Sequence, residues 1–241
     1  MDAFVRGDYA SALQTWRPLA DAGDPAAQTN IGFLYYEGKG VPQNYEEAIK
    51  WYTMAASKGY ADASFNLGVA YYAGKGVARD ATQALKWYRA AADAGYVPAQ
   101  VMLGNTYFRG VDVAEDREAG FRWYLKAAEQ DDVVAQFFVA NLYQTGGGVS
   151  EDLVQAYKWL SIAGGGNHPD ASKTAEQRKE LIAGIMTAEQ IAEAEKQATE
   201  WTARNRPRRT TSSGVTIRSR PSFASRNSGK IGSPPRLSRA L

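Results

Sequence analysis

Apolar residues along the chain recur at helical spacing in paired segments, and a short glycine-rich run separates the members of each pair. In one pair, the first segment carries its apolar face on Ala63, Leu67, Ala70 and Tyr71. A Gly-Lys-Gly-Val run at 74–77 then interrupts the pattern, because glycine adopts the positive φ values that end a helix. The second segment is predicted to be a helix over about 81–94. Its apolar face lies on Ala84, Trp87, Tyr88 and Ala91. The pattern predicts an all-α chain.

The helical pairs repeat every 36 residues along most of the chain. The tryptophans that mark the second helices are separated by 35, 36, 36 and 36 residues, at Trp16, Trp51, Trp87, Trp123 and Trp159. The same step relates the turn glycines Gly38, Gly74, Gly110 and Gly146. Such self-similarity is typical of a repeat array, in which each unit is one supersecondary element stacked on the next.

Polar residues mark where the second helices begin. The capping-box spacing occurs in the pairs Asn44/Glu47, Asp80/Gln83 and Asp152/Gln155, whereas Asp116 keeps only the cap. After the last unit the same spacing recurs at Thr174/Gln177 and Thr187/Gln190, and each pair precedes a helix-favouring run. These runs predict two C-terminal capping helices at 172–203, which would cover the open end of the array.

In three repeats the first helix contains a glycine. Glycine inside a helix lowers helix stability by about 1 kcal/mol relative to alanine. These glycines are Gly32, Gly68 and Gly104. We expect the missing side chain to let the second helix approach closely through its own small residues, Ala48, Ala84 and Gly120.

The 36-residue pattern of Leu-Gly, Tyr, Gly-x-Gly-Val, Asp, Ala, Trp-Tyr, Ala-Ala and Gly resembles the Sel-1-like repeat of the tetratricopeptide-like helical superfamily. The resemblance covers residues 23–171 as four units, and it weakens towards the end, where Gly110-Val111-Asp112 lacks the second glycine. It implies a right-handed α-α superhelix, or solenoid, of antiparallel helix pairs. It also implies a scaffold or adaptor, such as those of bacterial signalling, envelope processes or host interaction, or those of membrane-protein quality control in eukaryotes. The sequence does not choose among these roles.

Residues 1–22 are predicted to be a partial N-terminal repeat. The segment from Asp8 to Arg17 has the pattern of a second helix, and its first helix would need residues before Met1. We therefore expect the natural chain to begin earlier, either because this chain is truncated or because its start codon is misplaced. Many bacterial proteins that resemble this one carry a secretory signal ahead of such a unit, and a signal would place the protein outside the cytoplasm.

Composition excludes several kinds of chemistry. The chain has no cysteine, which excludes disulfides, thiol catalysis, thiolate zinc sites and cysteine-ligated iron–sulfur clusters. Its single histidine, His168, leaves no histidine metal cluster. No apolar run reaches the roughly 18 residues that a transmembrane helix needs. We expect no cofactor, no metal site and no small-molecule substrate.

Two features that suggest catalysis have simpler explanations. His168 lies in the loop after the last repeat, and no G-x-S-x-G motif accompanies it, so we interpret it as a turn residue rather than a catalytic base. The Gly-Lys-Gly turns at 38–40 and 74–76 end one helix before another begins. A phosphate-binding loop follows a strand and has different glycine spacing, so we interpret these turns as structural. We predict a protein that is not an enzyme.

Charge divides the chain near its C-terminal end. Residues 202–241 carry ten basic and no acidic side chains, whereas the preceding residues have a net charge of −8. We predict that the basic tail, residues 204–241, is disordered. Three interpretations fit its composition: an arm that binds nucleic acid or acidic membranes, a phosphorylatable linker, or an extension without a role. We favour the dispensable extension. We expect at most weak, salt-dependent binding of nucleic acid through the tail.

The surface of the array is the remaining candidate for function. First-helix positions that the core does not need are expected to line the concave side and to bind a protein or peptide. They are Asn30, Phe33, Tyr36, Phe65, Asn66, Val69, Tyr72, Met102, Asn105, Phe108, Phe138 and Asn141. Aromatic and methionine side chains provide apolar contact, and asparagine amides both donate and accept hydrogen bonds. Alternatively, Phe65, Phe137 and Phe138 pack between successive first helices. The alternative function is binding of nucleic acid or an acidic surface through the tail.

Overall fold

The computed structural model describes residues 2–166 and 169–205, which contain twelve α-helices and no strand. The first five helices are α1 (Asp2–Val5), α2 (Tyr9–Asp21), α3 (Pro25–Glu37), α4 (Tyr45–Ala56) and α5 (Ala61–Ala73). They are followed by α6 (Ala81–Asp93), α7 (Val97–Arg109), α8 (Arg117–Glu129), α9 (Val133–Thr145), α10 (Leu153–Gly164), α11 (Pro169–Ala183) and α12 (Ala188–Asn205). The predicted all-α fold of tandem helix pairs is confirmed. We call α3, α5, α7 and α9 the first helices, and α4, α6, α8 and α10 the second helices.

The described helices belong to two compact units, and the division falls inside α7, between Leu103 and Gly104. In unit 1, residues 2–103, consecutive helices from α1 to α6 pack against each other. In unit 2, which begins at Gly104, α9 packs on both α8 and α10, and α10 contacts α11 and α12.

The second helices begin with the predicted side-chain caps. The Asp80 carboxylate accepts the Gln83 N–H at 2.9 Å, and Asn44, Asp116 and Asp152 accept the N–H three residues on at 2.8–3.0 Å. The predicted reciprocal half of the capping box is wrong at Asn44, Asp80 and Asp152, whose backbone N–H groups bond to backbone carbonyls. The Asp80 N–H donates instead to the Tyr71 carbonyl at 3.0 Å. The N–H groups of Asn44, Asp116 and Asp152 donate in the same way to the carbonyls of Tyr35, Tyr107 and Tyr143, respectively. The cap therefore also joins the second helix to the first.

The glycine turns have the expected left-handed backbone. Gly74 and Gly76 have φ values of 65° and 73°. At Gly76 space is restricted as well, since a Cβ atom there would lie 2.6 Å from the Tyr45 carbonyl carbon, at the start of α4. In the third repeat, Asp112 occupies the position equivalent to Gly76 and keeps the left-handed conformation, with φ of 59°. The turn geometry is thus retained where the glycine is lost.

The tightest contact between paired helices joins the first-helix glycine to a tyrosine ring. A Cβ atom at Gly32, Gly68 or Gly104 would lie 2.7, 2.5 or 2.9 Å from the ring of Tyr52, Tyr88 or Tyr124. These tyrosine residues are 1%, 5% and 2% exposed. The predicted close approach is confirmed, and at Gly32 the backbone carbonyl of Ala48 also lies near. The large partner, a tyrosine rather than a small residue, was not expected.

In three of the four repeats, a buried glutamine connects the first helix to the helix before it. The Gln28 side-chain amide donates to the Ala20 carbonyl at 3.0 Å, and Gln100 donates to Ala92 at 3.1 Å. In unit 2, Gln136 repeats this bond to Ala128 at 3.3 Å. All three glutamines are at most 3% exposed. Each glutamine adds a second donor to a carbonyl at a helix C-terminus, because the same carbonyl also accepts the backbone N–H of Gly23, Gly95 or Asp131.

The tryptophans contribute unequally to the core. Trp16, Trp51 and Trp159 are buried, whereas Trp87 and Trp123 are half-buried. The Arg17 guanidinium lies 5.3 Å from the centroid of the Trp51 ring. The shared period therefore does not give every tryptophan the same burial.

The described ends of the chain have their own packing. Near the N-terminus, the Phe4 ring of α1 lies 5.4 Å from the Tyr9 and Trp16 rings. At the other end, α12 begins as predicted after a complete capping box, in which the Thr187 and Gln190 side chains accept each other's backbone N–H. The predicted helix start at Thr174 is wrong, because α11 already begins at Pro169. Proline suits that first position, since its missing N–H has no intrahelical acceptor there.

The glycine–tyrosine contact predicts a stability change. We expect Gly68→Ala to destabilise the protein by about 1–3 kcal/mol, because the new methyl group collides with the packed Tyr88 ring and this exceeds the gain in helix propensity. The Gly68→Ala/Tyr88→Leu double variant should lose less than the sum of the two single losses. Urea denaturation checks both. Additive losses would contradict the contact.

The left-handed aspartate gives a second test. We expect Asp112→Gly to be more stable than Asp112→Ala by about 1–2 kcal/mol, since both remove the carboxylate and only glycine accepts positive φ without a Cβ penalty. Thermal denaturation of the two variants measures the difference. Equal stabilities would show that this residue does not hold φ of 59° in solution.

Candidate partner-binding surface

Ten of the twelve predicted binding residues are partly or fully exposed on the first helices, and two are not. Phe33 and Phe65 are each 5% exposed, so their assignment to the binding surface is wrong. Phe65 packs against the rings of Tyr88 and Tyr96, with centroids 5.4 Å apart in both pairs. Helical periodicity correctly places Phe33 and Phe65 on first helices. It does not show which face of each helix is covered by an aromatic ring from a neighbouring helix.

In unit 1, the exposed predicted residues are Asn30, Tyr36, Asn66, Val69, Tyr72 and Met102. Tyr72 is the most exposed aromatic residue among them, at 40%. The Asn66 side-chain amide donates to the Asp62 carboxylate at 3.1 Å, and the Tyr96 hydroxyl donates to the same oxygen at 3.2 Å. This network orients Asn66 before any partner arrives, and the remaining amide oxygen is an acceptor for a partner's donor.

Two candidate tyrosines of unit 1, the half-buried Tyr36 and the exposed Tyr72, lie beside cations. The Lys75 ammonium is 5.3 Å from the Tyr36 ring centroid and 5.2 Å from that of Tyr45. The Arg79 guanidinium is 5.5 Å from the Tyr72 ring centroid. Burial raises the pKa of Tyr36 to about 12, with smaller contributions from Tyr45 and Glu37, so its phenol is neutral at physiological pH.

In unit 2, the predicted residues that reach the surface are all half-buried, and they are Asn105, Phe108, Phe138 and Asn141. The buried Tyr124 hydroxyl donates to the Asn105 side-chain oxygen at 2.9 Å, and its ring stacks on Phe138 with centroids 5.0 Å apart. Burial raises the pKa of Tyr124, which keeps it a neutral donor. Core and surface are therefore connected here through one tyrosine.

Sequence reasoning missed three contributors to these surfaces. Lys75 was interpreted only as a turn residue, and the roles of Asp62 and Arg79 were not foreseen. A signal for Lys75 existed, because Lys39 precedes it by one repeat and also lies over aromatic rings, 4.9 Å from Phe33 and 5.6 Å from Tyr9. Asp62 gave no such signal, because the equivalent positions in other units are not acidic.

The remaining predictions about chemistry fall partly outside the described residues. His168 and residues 206–241 lie beyond them, so the turn histidine and the tail stay predictions. Across 2–166 and 169–205, no group of histidine, aspartate and glutamate side chains is arranged to hold a metal ion. In the same ranges, no helix is long and apolar enough to span a membrane.

Comparison with known proteins identifies the repeats. The family model for the Sel1 repeat matches residues 25–60, 61–96, 97–132 and 133–168. The crystal structure of a Sel1 repeat protein from Oxalobacter formigenes matches with a TM-score of 0.67 at 29% identity, over 83% of this chain and 82% of that one.

A second crystal structure, of the protective antigen c5321 from uropathogenic Escherichia coli strains, displays an SLR fold and matches with a TM-score of 0.67 at 32% identity. The match covers 82% of this chain but only 41% of that protein. A search of curated proteins finds no match. Sel1 repeats generally serve as non-catalytic scaffolds for protein–protein interaction. With four repeats that span more than half of its length, this chain belongs to the Sel1 repeat family.

Proposed function

We propose that this chain is a non-enzymatic scaffold that binds a protein or peptide segment on the exposed side of its first helices. The supporting observation is a repeated set of amide and aromatic side chains that the core does not bury. Asn30 and Asn66 are one repeat apart, as are Tyr36 and Tyr72 in unit 1 and Asn105 and Asn141 in unit 2.

These side chains suit an extended peptide. Its backbone presents N–H and C=O groups at regular intervals, and asparagine amides can bond to both. Tyrosine rings supply a large contact area and have few rotatable bonds to immobilise. The hydrogen bonds that hold Asn66 and Asn105 reduce the conformational entropy that binding would otherwise remove.

The binding role can be tested with a random peptide library displayed on phage. Peptides selected on the full chain should bind Tyr72→Ala about tenfold or more weakly, because an aromatic residue at an interface centre typically contributes about 2 kcal/mol. Asn66→Ala should also weaken binding, through loss of an oriented amide. Fluorescence anisotropy with synthetic copies of the selected peptides measures the dissociation constants.

Met54→Ala is the matched control. Met54 is 44% exposed, close to the 40% of Tyr72, but it lies on the second helix α4. We expect this change to leave binding unaltered, and circular dichroism should show that all three variants stay folded. Failure to select any peptide, or equal losses for Met54→Ala and Tyr72→Ala, would contradict binding by the first helices.

The alternative function through the basic tail is separated by shortening the chain after Asn205, at the end of α12. Binding by the first helices predicts unchanged affinity for the selected peptides. A partner that binds the full chain only, and dissociates as salt is raised, would favour the tail instead.

A further inference from the structure

The helix-to-helix turns of unit 1 hold cations over aromatic rings. Lys39 and Lys75 occupy the same place in consecutive Gly-Lys-Gly turns. Each packs on the tyrosine that begins the preceding second helix, with Lys39 over Tyr9 and Lys75 over Tyr45. The flanking glycines have positive φ values of 65–73°, so the backbone around both lysines has the same conformation.

Lys75 connects this arrangement to the proposed binding surface. Its ammonium also lies over Tyr36, a half-buried first-helix residue, and Arg79 lies over the exposed Tyr72 one repeat later. Lys75 is exposed, and across the described residues no carboxylate lies within ion-pair distance of it. Aromatic faces attract an ammonium group but do not neutralise it, so the charge remains to attract an anion.

The turns of unit 2 have the opposite electrostatic character. Turn segments 37–44 and 73–80 together carry three basic and two acidic residues, whereas 109–116 and 145–152 carry one basic and five acidic residues. Val111 and Gly147 occupy the places of Lys39 and Lys75. Arg117 lies over Phe108, but its guanidinium is paired with the Glu115 carboxylate at 2.6 Å. Among the residues that the structure describes, the Lys75 charge over two aromatic rings is thus a feature of unit 1.

We infer that the edge of unit 1 formed by its two Gly-Lys-Gly turns, at 38–40 and 74–76, selects an acidic segment in the peptide partner. Aspartate or glutamate side chains of the segment contact Lys75 and Lys39, while the adjoining residues lie on Tyr36, Tyr72 and Asn66. This inference rests on the proposed function, because it specifies the chemistry of a partner for the same surface. Opposite charge at the edge of an interface mainly determines which partner binds and how fast it associates.

The composition of the selected peptides is the first test. Twelve-residue random peptides that bind the full chain should contain aspartate and glutamate well above their share in the unselected library. Lys39→Gln/Lys75→Gln should still select peptides, but without this acidic excess. Selected peptides with no acidic excess on the unaltered chain would overturn the inference and leave the proposed function standing, whereas an absence of selected peptides would count against both.

The affinity of one acidic selected peptide is the second test. Lys75→Gln should raise its dissociation constant about three- to fivefold, as expected for loss of one partly screened charge pair. Lys75→Arg should retain the affinity, since it keeps both the charge and the contact with the rings. Higher salt should weaken binding to the unaltered chain more than to Lys75→Gln, because the missing charge can no longer be screened.

Lys86→Gln is the control, because it removes another exposed lysine, one that lies on the second helix α6. We expect it to leave the affinity unchanged. Equal weakening by Lys86→Gln and Lys75→Gln would show a response to net charge alone and would overturn the inference. Thermal denaturation of each variant separates lost binding from lost stability.

Discussion

Contact between a helical glycine and a tyrosine ring governs how the helices of this protein pair. At Gly68 the first helix presents bare backbone, and the Tyr88 ring of the second helix lies directly against it. A side chain on the first helix at that point would displace a ring that is almost fully buried. Because the same contact recurs at Gly32 and Gly104, it fixes the side of each first helix that faces its partner. The positions and the exposure of the candidate binding residues follow from the way each first helix faces its partner.

The fourth repeat departs from this contact in a way that supports its importance. Ala140 replaces the glycine, and Leu160 replaces the tyrosine. A methyl group fits where the rigid ring has been exchanged for a smaller aliphatic side chain, so the two changes compensate each other. Both residues are buried, at 1% and 2% exposure. Helices α9 and α10 therefore pack against each other without a glycine–tyrosine contact.

Sequence periodicity predicted those features that depend on residues close together in the chain. Helix α6 was expected at about 81–94 and spans Ala81–Asp93, because its cap and turn signals are local. Features that depend on a distant neighbour were missed. The Asp80 N–H bonds to the Tyr71 carbonyl rather than completing a capping box. The sequence leaves the burial of Phe65 open, and in the structure the rings of Tyr88 and Tyr96 pack against it. The repeat period shows which residues occupy equivalent positions in successive repeats. It does not show which of these positions are buried, because that depends on how each helix is turned about its own axis.

The turns differ from the paired helices in how much sequence change they tolerate. Their backbone is set by left-handed residues on both sides of the central position, as at Gly38 and Gly40. The central residue itself needs no special conformation, and it is Lys39, Lys75, Val111 or Gly147 in successive units. Charge at this edge can therefore change without altering the helix pairing that the glycine–tyrosine contact maintains.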